Sequence, residues 1–394
     1  MTQPHLKKQI ILRKNEDRRI VSGHPWVFSN EIRETKGDPV IGDVVELIAA
    51  SGVSLGVGFY NPHSLIAFRL LSKTIEEVDA GFFRRRIQEA AALRERLYPG
   101  ADACRLVHGE GDFLPGLVVD RFGRFLSVQA FAYGMDIRLP VICDVLEALV
   151  HPAGIVERNE SPLRTLEHLP QKKGVLRGVV APAIIEEHGI QYKVDLLEGQ
   201  KTGFFLDQRE NRATIARYSN GASVLDCFCN DGGFALNAAR GGAAAVLGID
   251  ASADAVGRAR ANALHNRLER VEFEENDVFE RLKELQSGNM RFDVIVLDPP
   301  SFTKSRKNVQ TAKKGYREIH ERAIQLLHKG GTLLTASCSH HIEPEVFLSL
   351  VEDAAQRTGR NVQLLDWRGA APDHPTLPAV PETRYLKFGI FRVL

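Results

Sequence analysis

The first part of the chain alternates short apolar runs with turn-forming residues. Glycine and proline separate the runs at close intervals, as at Gly23, Pro25, Gly52 and Pro62. Short, regularly spaced strands of this kind are typical of a small β-barrel. The runs that predict strands are residues 9–12, 44–48, 55–60 and 65–71. We therefore expect a β-barrel domain over residues 1–75.

Residues 76–190 mix helical and strand-like patterns. Apolar positions recur at helical spacing over residues 75–98, and Pro99-Gly100 follows as a stop signal. Beyond this helix the pattern predicts strands at residues 105–108, 117–120, 125–132 and 154–158, and a helix at 135–149. This mixture predicts a middle α+β domain over residues 76–190.

From residue 191 onward, apolar strand-like runs alternate regularly with helical stretches. Strands are predicted at residues 223–226, 245–250, 271–274, 292–298 and 332–336. Helices are predicted at residues 208–218, 234–240, 253–266, 279–286, 312–328 and 343–355. Residues 362–365 and 385–393 predict a final hairpin. Continuous apolar strands separated by helices favour a parallel sheet covered on both faces, so we expect an α/β domain over residues 191–394.

Composition and charge narrow the class of protein. The chain has 394 residues, 44% of them hydrophobic and 26% charged, which is typical of a soluble protein of two or three domains. No apolar run approaches a membrane span, and the N-terminus lacks a signal-peptide core. The five cysteines fit neither a zinc site nor a disulfide framework, so we expect a cytoplasmic protein with reduced thiols and no metal. Because the net charge is only +1, contact with a polyanion must come from local patches.

The loop after the first strand of the α/β domain is the first candidate site. The strand ends at Asp226, and a loop of small residues leads through Gly232 and Gly233 into an Ala-rich helix. Glycine lets a backbone approach a ligand closely, and a helix start offers free N–H groups. The geometry suits a nucleotide-like cofactor, although the pattern is not the G-x-G-x-x-G dinucleotide fingerprint. A merely structural turn is the alternative.

Four acidic residues stand at the carboxyl ends of consecutive predicted strands: Asp226, Asp250, Asp277 and Asp298. In open α/β sheets the ligand lies beyond these ends, at the switch point of the strand order. An acid after the second strand can accept hydrogen bonds from ribose, and one after the third can meet an adenine amino group. The chain lacks a P-loop lysine, and several carboxylates would repel phosphates. S-adenosylmethionine, with its sulfonium and amino group, therefore fits better than NAD, although polar residues are ordinary at any single strand end.

At this point the motifs resemble those of a known enzyme class. The segments 226–233, Gly248-Ile249-Asp250, Glu275-Asn276-Asp277 and Asp298-Pro299-Pro300-Ser301-Phe302 look like motifs of class I methyltransferases. Residues 201–212 look like the segment that precedes them in an RNA-modifying branch, and residues 337–341 (Ser-Cys-Ser-His-His) follow the fifth strand. Together with the domain order, the whole chain resembles the bacterial large-subunit (23S) ribosomal RNA cytosine-5 methyltransferases.

The resemblance implies an architecture, a cofactor and a partner. It implies an N-terminal PUA RNA-binding domain (1–75), a middle α+β domain (76–190) and a C-terminal Rossmann-like catalytic domain (191–394). It also implies S-adenosylmethionine as cofactor and large-subunit ribosomal RNA as partner, either naked or in an assembly intermediate. The residues expected to bind the cofactor are Gln208, Arg212, Asp226, Phe228, Asn230, Gly232, Phe234, Asp250, Asp277 and Asp298.

Methylation at carbon 5 of cytosine explains why a cysteine would be needed. This carbon is a poor nucleophile, and a thiolate that adds to carbon 6 activates it. Cys338 follows the fifth strand, next to the fourth strand in this topology, and is the expected nucleophile. Buried packing is the alternative for an isolated cysteine. His340 or His341 could favour the thiolate, or could simply face solvent.

The segment after the fourth strand offers further candidates. Asp298 is expected to act in catalysis or in cofactor binding, by bonding the cytosine edge or the methionine amino group. Phe302 could stack on a flipped base or pack in the core. The basic residues that follow could contact RNA phosphates or form a solvated surface; they are Lys304, Arg306, Lys307, Lys313 and Lys314.

One departure from the family pattern leaves alternatives open. Many RNA cytosine-5 methyltransferases carry a second cysteine where this chain has Pro300. The chain could therefore be an N-methyltransferase of an RNA base that uses the Asp298 loop, or a non-catalytic RNA-binding assembly factor. The sequence also leaves open which nucleotide is modified, which base removes the carbon-5 proton, and whether the protein forms a homodimer.

Overall fold

The computed structural model describes residues 6–199, 202–303 and 306–394, and these residues group into two units. The first unit comprises the chain up to Ile185, together with Val194–Leu206 and Pro372–Thr383. The second comprises Glu186–Lys193, Asp207–Ala371 and Arg384–Leu394. The division into three domains with boundaries near residues 75 and 190 stays a prediction.

The first unit begins with a six-stranded sheet in the order β2-β6-β5-β4-β1-β3. Its strands are β1 (Gln9–Leu12), β2 (Trp26–Phe28), β3 (Ile32–Lys36), β4 (Val44–Ile48), β5 (Ser54–Tyr60) and β6 (Ile66–Ser72). A short helix, α1 (Arg18–Val21), follows β1. The pattern had not predicted β2, β3 or α1. The strand β2 has only three residues, and β3 is an edge strand with mostly exposed polar residues, so neither shows apolar alternation.

A five-stranded sheet in the order β11-β10-β9-β8-β7 follows, with two longer helices packed in its core. Its strands are β7 (Ala103–His108), β8 (Leu117–Phe122), β9 (Phe125–Ala130), β10 (Gly154–Asn159) and β11 (Lys172–Gly178). The helices are α2 (Ala80–Leu97), α3 (Tyr133–Asp136) and α4 (Leu139–Val150).

The expected helices of this region differ from the observed ones at their ends. Helix α2 begins at Ala80 instead of residue 75, because the Asp79 carboxylate caps it by accepting from Phe82 N at 2.9 Å. The helix expected over residues 135–149 is two helices, and Pro140 lies in the first turn of the second. Strand β11 was missed because its residues are polar and largely exposed. Beyond it, β12 (Ala183–Glu187) and β13 (Ile190–Val194) form an unpredicted two-stranded sheet.

The second unit contains a seven-stranded sheet in the order β16-β15-β14-β17-β18-β20-β19. Its strands are β14 (Ser223–Cys227), β15 (Ala245–Asp250), β16 (Val271–Glu275), β17 (Phe292–Leu297), β18 (Leu327–Ser337), β19 (Val362–Arg368) and β20 (Lys387–Val393). The first five are mutually parallel, whereas β20 and β19 pair antiparallel, which confirms both the parallel sheet and the final hairpin. The strand order reverses between β14 and β17.

Helices precede and separate these strands: α5 (Arg209–Thr214), α6 (Ala216–Ser219), α7 (Gly233–Arg240), α8 (Ala253–His265), α9 (Val278–Ser287), α10 (Val309–Leu326) and α11 (Pro344–Arg357). Two expectations were wrong in detail. The helix expected over residues 208–218 is broken into α5 and α6. Helix α10 ends at Leu326, because Leu327 already pairs with Phe292 in the sheet.

The register of the sheet determines which strand ends lie next to each other at the candidate site. Cys227 at the end of β14 is level with Ile249 in β15 and with Leu297 in β17. Leu297 is in turn level with Thr335 in β18. The carboxyl ends of β14, β15, β17 and β18 therefore meet at one edge. No helix within the described residues is long and apolar enough to cross a membrane.

Candidate active site

The loop between β14 and α7 is held in a backbone conformation that few sequences allow. Phe228, Asn230 and Gly232 all have positive φ, at 63°, 46° and 81°. A bulky side chain rarely adopts this region, and such outliers cluster at ligand sites. The neighbouring strand fixes the loop, because Cys229 N donates to the carbonyl of Ile249 at 3.0 Å.

Glycines allow the close approaches in this loop. A Cβ at Gly232 would lie 2.9 Å from Cζ of Phe273, and one at Gly233 would lie 2.3 Å from Cδ of Arg212. Both contacts are too short for a real Cβ. The loop therefore needs its glycines for its own shape, and it leaves the first N–H groups of α7 at the crevice where the strand order reverses.

Asp226 is the most unusual acid of the site. It is 0% exposed, and its Oδ2 accepts from Ala235 N at 2.8 Å. Its Oδ1 has no hydrogen-bond partner among the described residues. Burial raises the pKa of Asp226 well above its usual range, and the charges of Asp298 and Asp250 raise it further. An orphaned buried carboxyl oxygen at the switch point fits a polar group of a bound nucleoside-type cofactor.

Asp250 and Asp277 both bond to backbone at the strand ends. Asp250 accepts from Asn230 N through Oδ2 at 3.0 Å and from Ser252 N through Oδ1 at 2.9 Å. It thereby joins the loop after β14 to the loop after β15. Asp277 is exposed and caps α9 by accepting from Glu280 N at 3.1 Å. Each carboxylate oxygen has a second lone pair, so these bonds leave acceptor capacity for a ligand.

Asp298 is oriented by a short chain of amides. Gln208 Nε2 donates to Asp298 Oδ2 at 3.0 Å, and Asn211 Nδ2 donates to Gln208 Oε1 at 2.7 Å. Gln208 and Asn211 are both buried. The amide of Gln208, one of the expected cofactor ligands, therefore lies against the expected catalytic acid.

Arg212 lies beneath the loop in a buried ion pair. Arg212 Nη2 donates to Glu187 Oε2 at 2.5 Å, and Arg209 Nε donates to Glu187 Oε1 at 3.3 Å. Burial lowers the pKa of Arg212, but the charge and hydrogen bond of Glu187, together with the charges of Tyr192 and Asp207, raise it, so that the net shift is upward. Sequence reasoning missed Glu187, since nothing in its local pattern distinguishes it from a surface glutamate.

The two aromatic candidates of the loop pack against protein. Phe234 is buried, and its ring stacks on Phe388 with centroids 5.8 Å apart and planes 7° apart. Phe228 is half-buried against the core of the second unit. Their roles in cofactor binding stay predictions.

Cys338 directly follows β18 and differs from the other cysteines in exposure. It is half-buried, whereas Cys104, Cys143, Cys227 and Cys229 are buried. Burial raises the pKa of Cys227 and of Cys229 well above the usual thiol range. Those two thiols of the cofactor loop are therefore poor nucleophiles.

A frame of hydroxyl groups joins the Cys338 turn to the Asp298 loop. Ser301 Oγ and Ser339 Oγ lie 2.9 Å apart, and Tyr316 Oη donates to Ser337 Oγ at 2.9 Å. Burial raises the pKa of Tyr316 to about 12, and the charges of Cys338 and Asp298 contribute to the rise. The Ser301–Ser339 contact therefore joins the two segments that carry the expected catalytic groups.

Lys387 completes this frame and was missed by sequence reasoning. Its Nζ donates to Ser339 O at 2.7 Å and to Tyr385 O at 2.8 Å. Burial lowers the pKa of Lys387 to about 8, whereas Cys338 and Glu343 act to raise it. The one signal in the sequence is a lysine within the apolar run of the last strand.

The expected RNA-contacting residues fall into two groups. The Phe302 ring packs 4.7 Å from Tyr316 and 6.0 Å from Phe279, so in this structure it lies at the edge of the core. Lys307 and Lys314 are exposed, Lys313 is half-buried, and none of the three pairs with another residue that the structure describes. Lys304 and the side chain of Arg306 lie outside the described part of the chain.

The remaining candidates lie close by. His340 is exposed, and its ring is 5.9 Å from Tyr385; His341 is half-buried. Across the described ranges, no group of three His, Cys, Asp or Glu side chains could hold a metal ion.

Comparison with known proteins gives two family matches. A family described as S-adenosylmethionine-dependent methyltransferase matches residues 178–392, and a PUA-like domain matches residues 10–73. The chain is 37% identical over 393 residues to "Ribosomal RNA large subunit methyltransferase I" of Escherichia coli O127:H6 (strain E2348/69 / EPEC), covering 98% of this chain and 99% of the relative. A relative of the same name in Shigella dysenteriae serotype 1 (strain Sd197) has the same identity and coverage.

Solved structures agree on the fold. A proposed methyltransferase, SMU.776, crystallised with SAH, has a TM-score of 0.84 at 22% identity over 98% of this chain and 99% of that one. A tRNA m1G37 methyltransferase of M. jannaschii has a TM-score of 0.52 at 17% identity, covering 83% and 82%. At these identities the likeness shows the fold alone.

The structure and the family matches agree on the cofactor. The crevice offers an orphaned carboxyl oxygen, a glycine-shaped loop and a row of carboxylates, which fit S-adenosylmethionine. An N-terminal PUA-like domain and a C-terminal α/β methyltransferase domain complete the architecture. The chain belongs to the family of ribosomal RNA large subunit methyltransferases I, which are S-adenosylmethionine-dependent enzymes.

Proposed function

We propose that this enzyme methylates carbon 5 of one cytosine in large-subunit (23S) ribosomal RNA, in the cytoplasm. Family membership supports the class of substrate. The observation that carries the choice of carbon 5 is the setting of Cys338. It is half-buried, it directly follows β18, and its turn is bonded to the Asp298 loop through Ser301 and Ser339.

The proposed reaction uses Cys338 as a transient covalent catalyst. Its thiolate adds to carbon 6 of the cytosine, and the electrons of the C5–C6 double bond move to carbon 5. Bound S-adenosylmethionine supplies an electrophilic methyl group on its sulfonium. Carbon 5 bonds to this methyl carbon while the methyl–sulfur bond breaks and leaves its electron pair on the sulfur, and carbon 5 then gives up its proton to a base. The electrons of the broken C–H bond restore the double bond as the C6–S bond breaks and releases the thiolate.

Asp298 positions the reactants in this proposal. The bond from Gln208 to Oδ2 restrains the orientation of the Asp298 carboxylate. This carboxylate would accept a hydrogen bond from the exocyclic amine of the cytosine or from the amino group of the cofactor. The expected cofactor ligands at the ends of β14, β15 and β16 would hold the nucleoside, with Asp226 as the buried anchor.

The RNA-binding surfaces are proposed from charge and domain identity. Residues 1–75 would act as the PUA RNA-binding domain, residues 76–190 as a middle domain and residues 191–394 as the catalytic domain. Lys307, Lys313 and Lys314 would contact phosphates near the site, since no described residue neutralises them. The RNA would be free or part of an assembling subunit, and assays on both substrates would distinguish these cases.

The test compares wild type with Cys338→Ala and with Cys104→Ala as a matched control. Cys104 is buried in β7 of the first unit, and it is distant in sequence from the residues proposed to react. Each protein is incubated with labelled S-adenosylmethionine and ribosomal RNA from a strain that lacks this enzyme, and the nucleosides are then analysed. We expect 5-methylcytosine from wild type and from Cys104→Ala, and none from Cys338→Ala, which should still bind the cofactor.

Other outcomes would replace the proposal. Full activity in Cys338→Ala, or an N-methylated base as product, would make the Asp298 loop the centre of an N-methyltransferase. The methyltransferase fold alone does not decide between carbon and nitrogen as acceptor. Cofactor binding without any methylated product from wild type would favour a non-catalytic RNA-binding assembly factor.

A further inference from the structure

Lys387 occupies a position that an unpaired cation rarely occupies. It is the first residue of β20, and its Cα is level with Ser337 of β18, the residue before Cys338. It is 3% exposed, and the strand that it begins is otherwise almost wholly buried. Burying an ammonium group is costly unless an opposite charge compensates for it.

The hydrogen bonds of Lys387 compensate for only part of that cost. Two of its three N–H groups donate to the carbonyls of Ser339 and Tyr385. Among the described residues, no carboxylate lies within 4.0 Å of its Nζ. A simple structural tie between two carbonyls would not require a charged group.

The groups that surround Lys387 identify its electrostatic partner. Cys338 and Glu343 are the two groups whose negative charge favours its ammonium form. Glu343 is exposed at the start of α11 and is well solvated. Other titratable groups near the turn are bonded elsewhere or exposed: Tyr316 bonds Ser337, Tyr385 bonds Asp207, Asp298 bonds Gln208, and His340 is exposed.

We propose that Lys387 is the positioning residue that activates the nucleophile: it holds the Ser339 peptide and stabilises the thiolate of Cys338 with its ammonium charge. The proposal rests on the proposed function and deepens it, because it names a residue that favours the thiolate, the role for which the sequence suggested His340 or His341. The effect of Lys387 on the thiolate has an upper pH limit, which follows from the burial of Lys387. Since the pKa of Lys387 is lowered to about 8, the ammonium and its effect are lost above that pH.

The test measures the reactivity of the Cys338 thiol directly and needs no RNA. The rate at which iodoacetamide alkylates Cys338 is measured from pH 5 to 10 by mass spectrometry of the peptide; the other four cysteines are buried. Lys387→Gln keeps two amide donors but removes the charge, so we expect the midpoint of the alkylation curve to rise by about one pH unit or more. Lys387→Arg should keep the low midpoint of the alkylation curve. Its curve should lack the change near pH 8 that the loss of the Lys387 charge produces in wild type.

The control removes a charge from the same strand. Arg392 is exposed near the end of β20, and Arg392→Gln should leave the midpoint of Cys338 alkylation unchanged. In methyl transfer, Lys387→Gln should lower kcat about tenfold at pH 7, whereas the Kd for S-adenosylmethionine should stay within twofold. Lys387→Arg should recover most of the kcat.

Equal midpoints in wild type and Lys387→Gln would overturn the proposal and leave Lys387 as a structural tie. If one variant does not fold, the other still decides, because Lys387→Gln should raise the midpoint and Lys387→Arg should remove the change near pH 8. If the midpoint shifts as expected while wild type makes no 5-methylcytosine, the Lys387–Cys338 coupling stands and the proposed function fails.

Discussion

Asp112 and Asp120 of the first unit differ from Asp226 of the second in what neutralises them. In the first unit, Asp112 accepts two bonds from Arg94, at 2.5 and 2.8 Å, and Asp120 accepts two from Arg105, at 2.6 and 3.0 Å. In the second unit, Asp226 is fully buried, and no cation among the described residues pairs with it.

This contrast separates architecture from ligand binding. A paired buried carboxylate helps to fix the packing of elements that are distant in sequence. Arg94, the partner of Asp112, also donates to the carbonyl of Asp373 at 2.6 Å. An unpaired one costs folding free energy, which is tolerated where a ligand supplies the missing partner. An aspartate therefore serves packing at positions 112 and 120, where an arginine pairs with it, and is suited to bind a ligand at position 226, where no described cation does.

The largest expected effect comes from breaking a paired acid in the first unit. Arg94→Leu leaves the Asp112 carboxylate buried without its partner, and should reduce the free energy of unfolding by about 3–5 kcal/mol. Urea unfolding, followed by circular dichroism, measures the loss. Arg322→Leu, which removes a partly exposed pair with Glu318 on α10, should cost less than about 1 kcal/mol. Similar losses in the two variants would contradict the distinction.

The unpaired acid should behave in the opposite way. Because the pKa of Asp226 is raised in the folded state, its effect on stability is most favourable at low pH and becomes a penalty as pH rises. Asp226→Asn cannot ionise, so it should be more stable than wild type at pH 8, and the difference should shrink as pH falls toward 4. Thermal unfolding across this range measures the trend.

The same substitution should weaken the cofactor site. Losing the carboxyl oxygen that has no protein partner should raise the Kd for S-adenosylmethionine at least about tenfold, or about 1.4 kcal/mol. Isothermal titration calorimetry measures it. In Asp120→Asn, which weakens a paired acid in the first unit, stability should fall and the Kd should stay near wild type. A stability loss in Asp226→Asn at pH 8 would remove the basis of the comparison.

Strand ends explain how much of the site could be predicted. The acids at the ends of β14, β15 and β17 could be found because parallel strands separated by helices must meet at one edge. Local periodicity and turn residues carry that information. The five parallel strands were therefore located, whereas polar edge strands such as β3 and β11 were not.

Contacts between distant residues could not be predicted in the same way. The bond from Lys387 to Ser339 joins residues 48 positions apart, and the Gln208–Asp298 bond joins residues 90 apart. The register of antiparallel β20 against β18 brings Lys387 to the Cys338 turn, and no periodic pattern encodes that register. Glu187 became visible only as the shared partner of Arg209 and Arg212.

The glycine loop gives a smaller, local test of the site. Gly232→Ala places a Cβ 2.9 Å from Phe273 at a φ of +81°, so it should lose roughly 1–2 kcal/mol of stability and weaken cofactor binding. Gly257→Ala in α8 meets nothing within 4 Å and should gain roughly 0.5–1 kcal/mol. Thermal unfolding and cofactor titration of both variants check the prediction. A neutral effect of Gly232→Ala would mean that the loop does not need its observed shape.

The smallest expected effect concerns cations instead of acids. Lys307 and Lys314 are exposed, and no described residue of opposite charge pairs with them. In this lack of a charged partner they resemble the buried Asp226, so an external partner should neutralise them also. Replacing either by Gln should make the plot of log K for RNA binding against log salt concentration shallower by roughly 0.7–0.9. Lys283→Gln is the matched control, since Lys283 already pairs with Glu280 on α9. Equal salt-dependence slopes in all three variants would contradict the prediction for the lysines. The lack of a protein partner would then mark a ligand contact only where the group is buried, because water and counterions alone can neutralise an exposed cation.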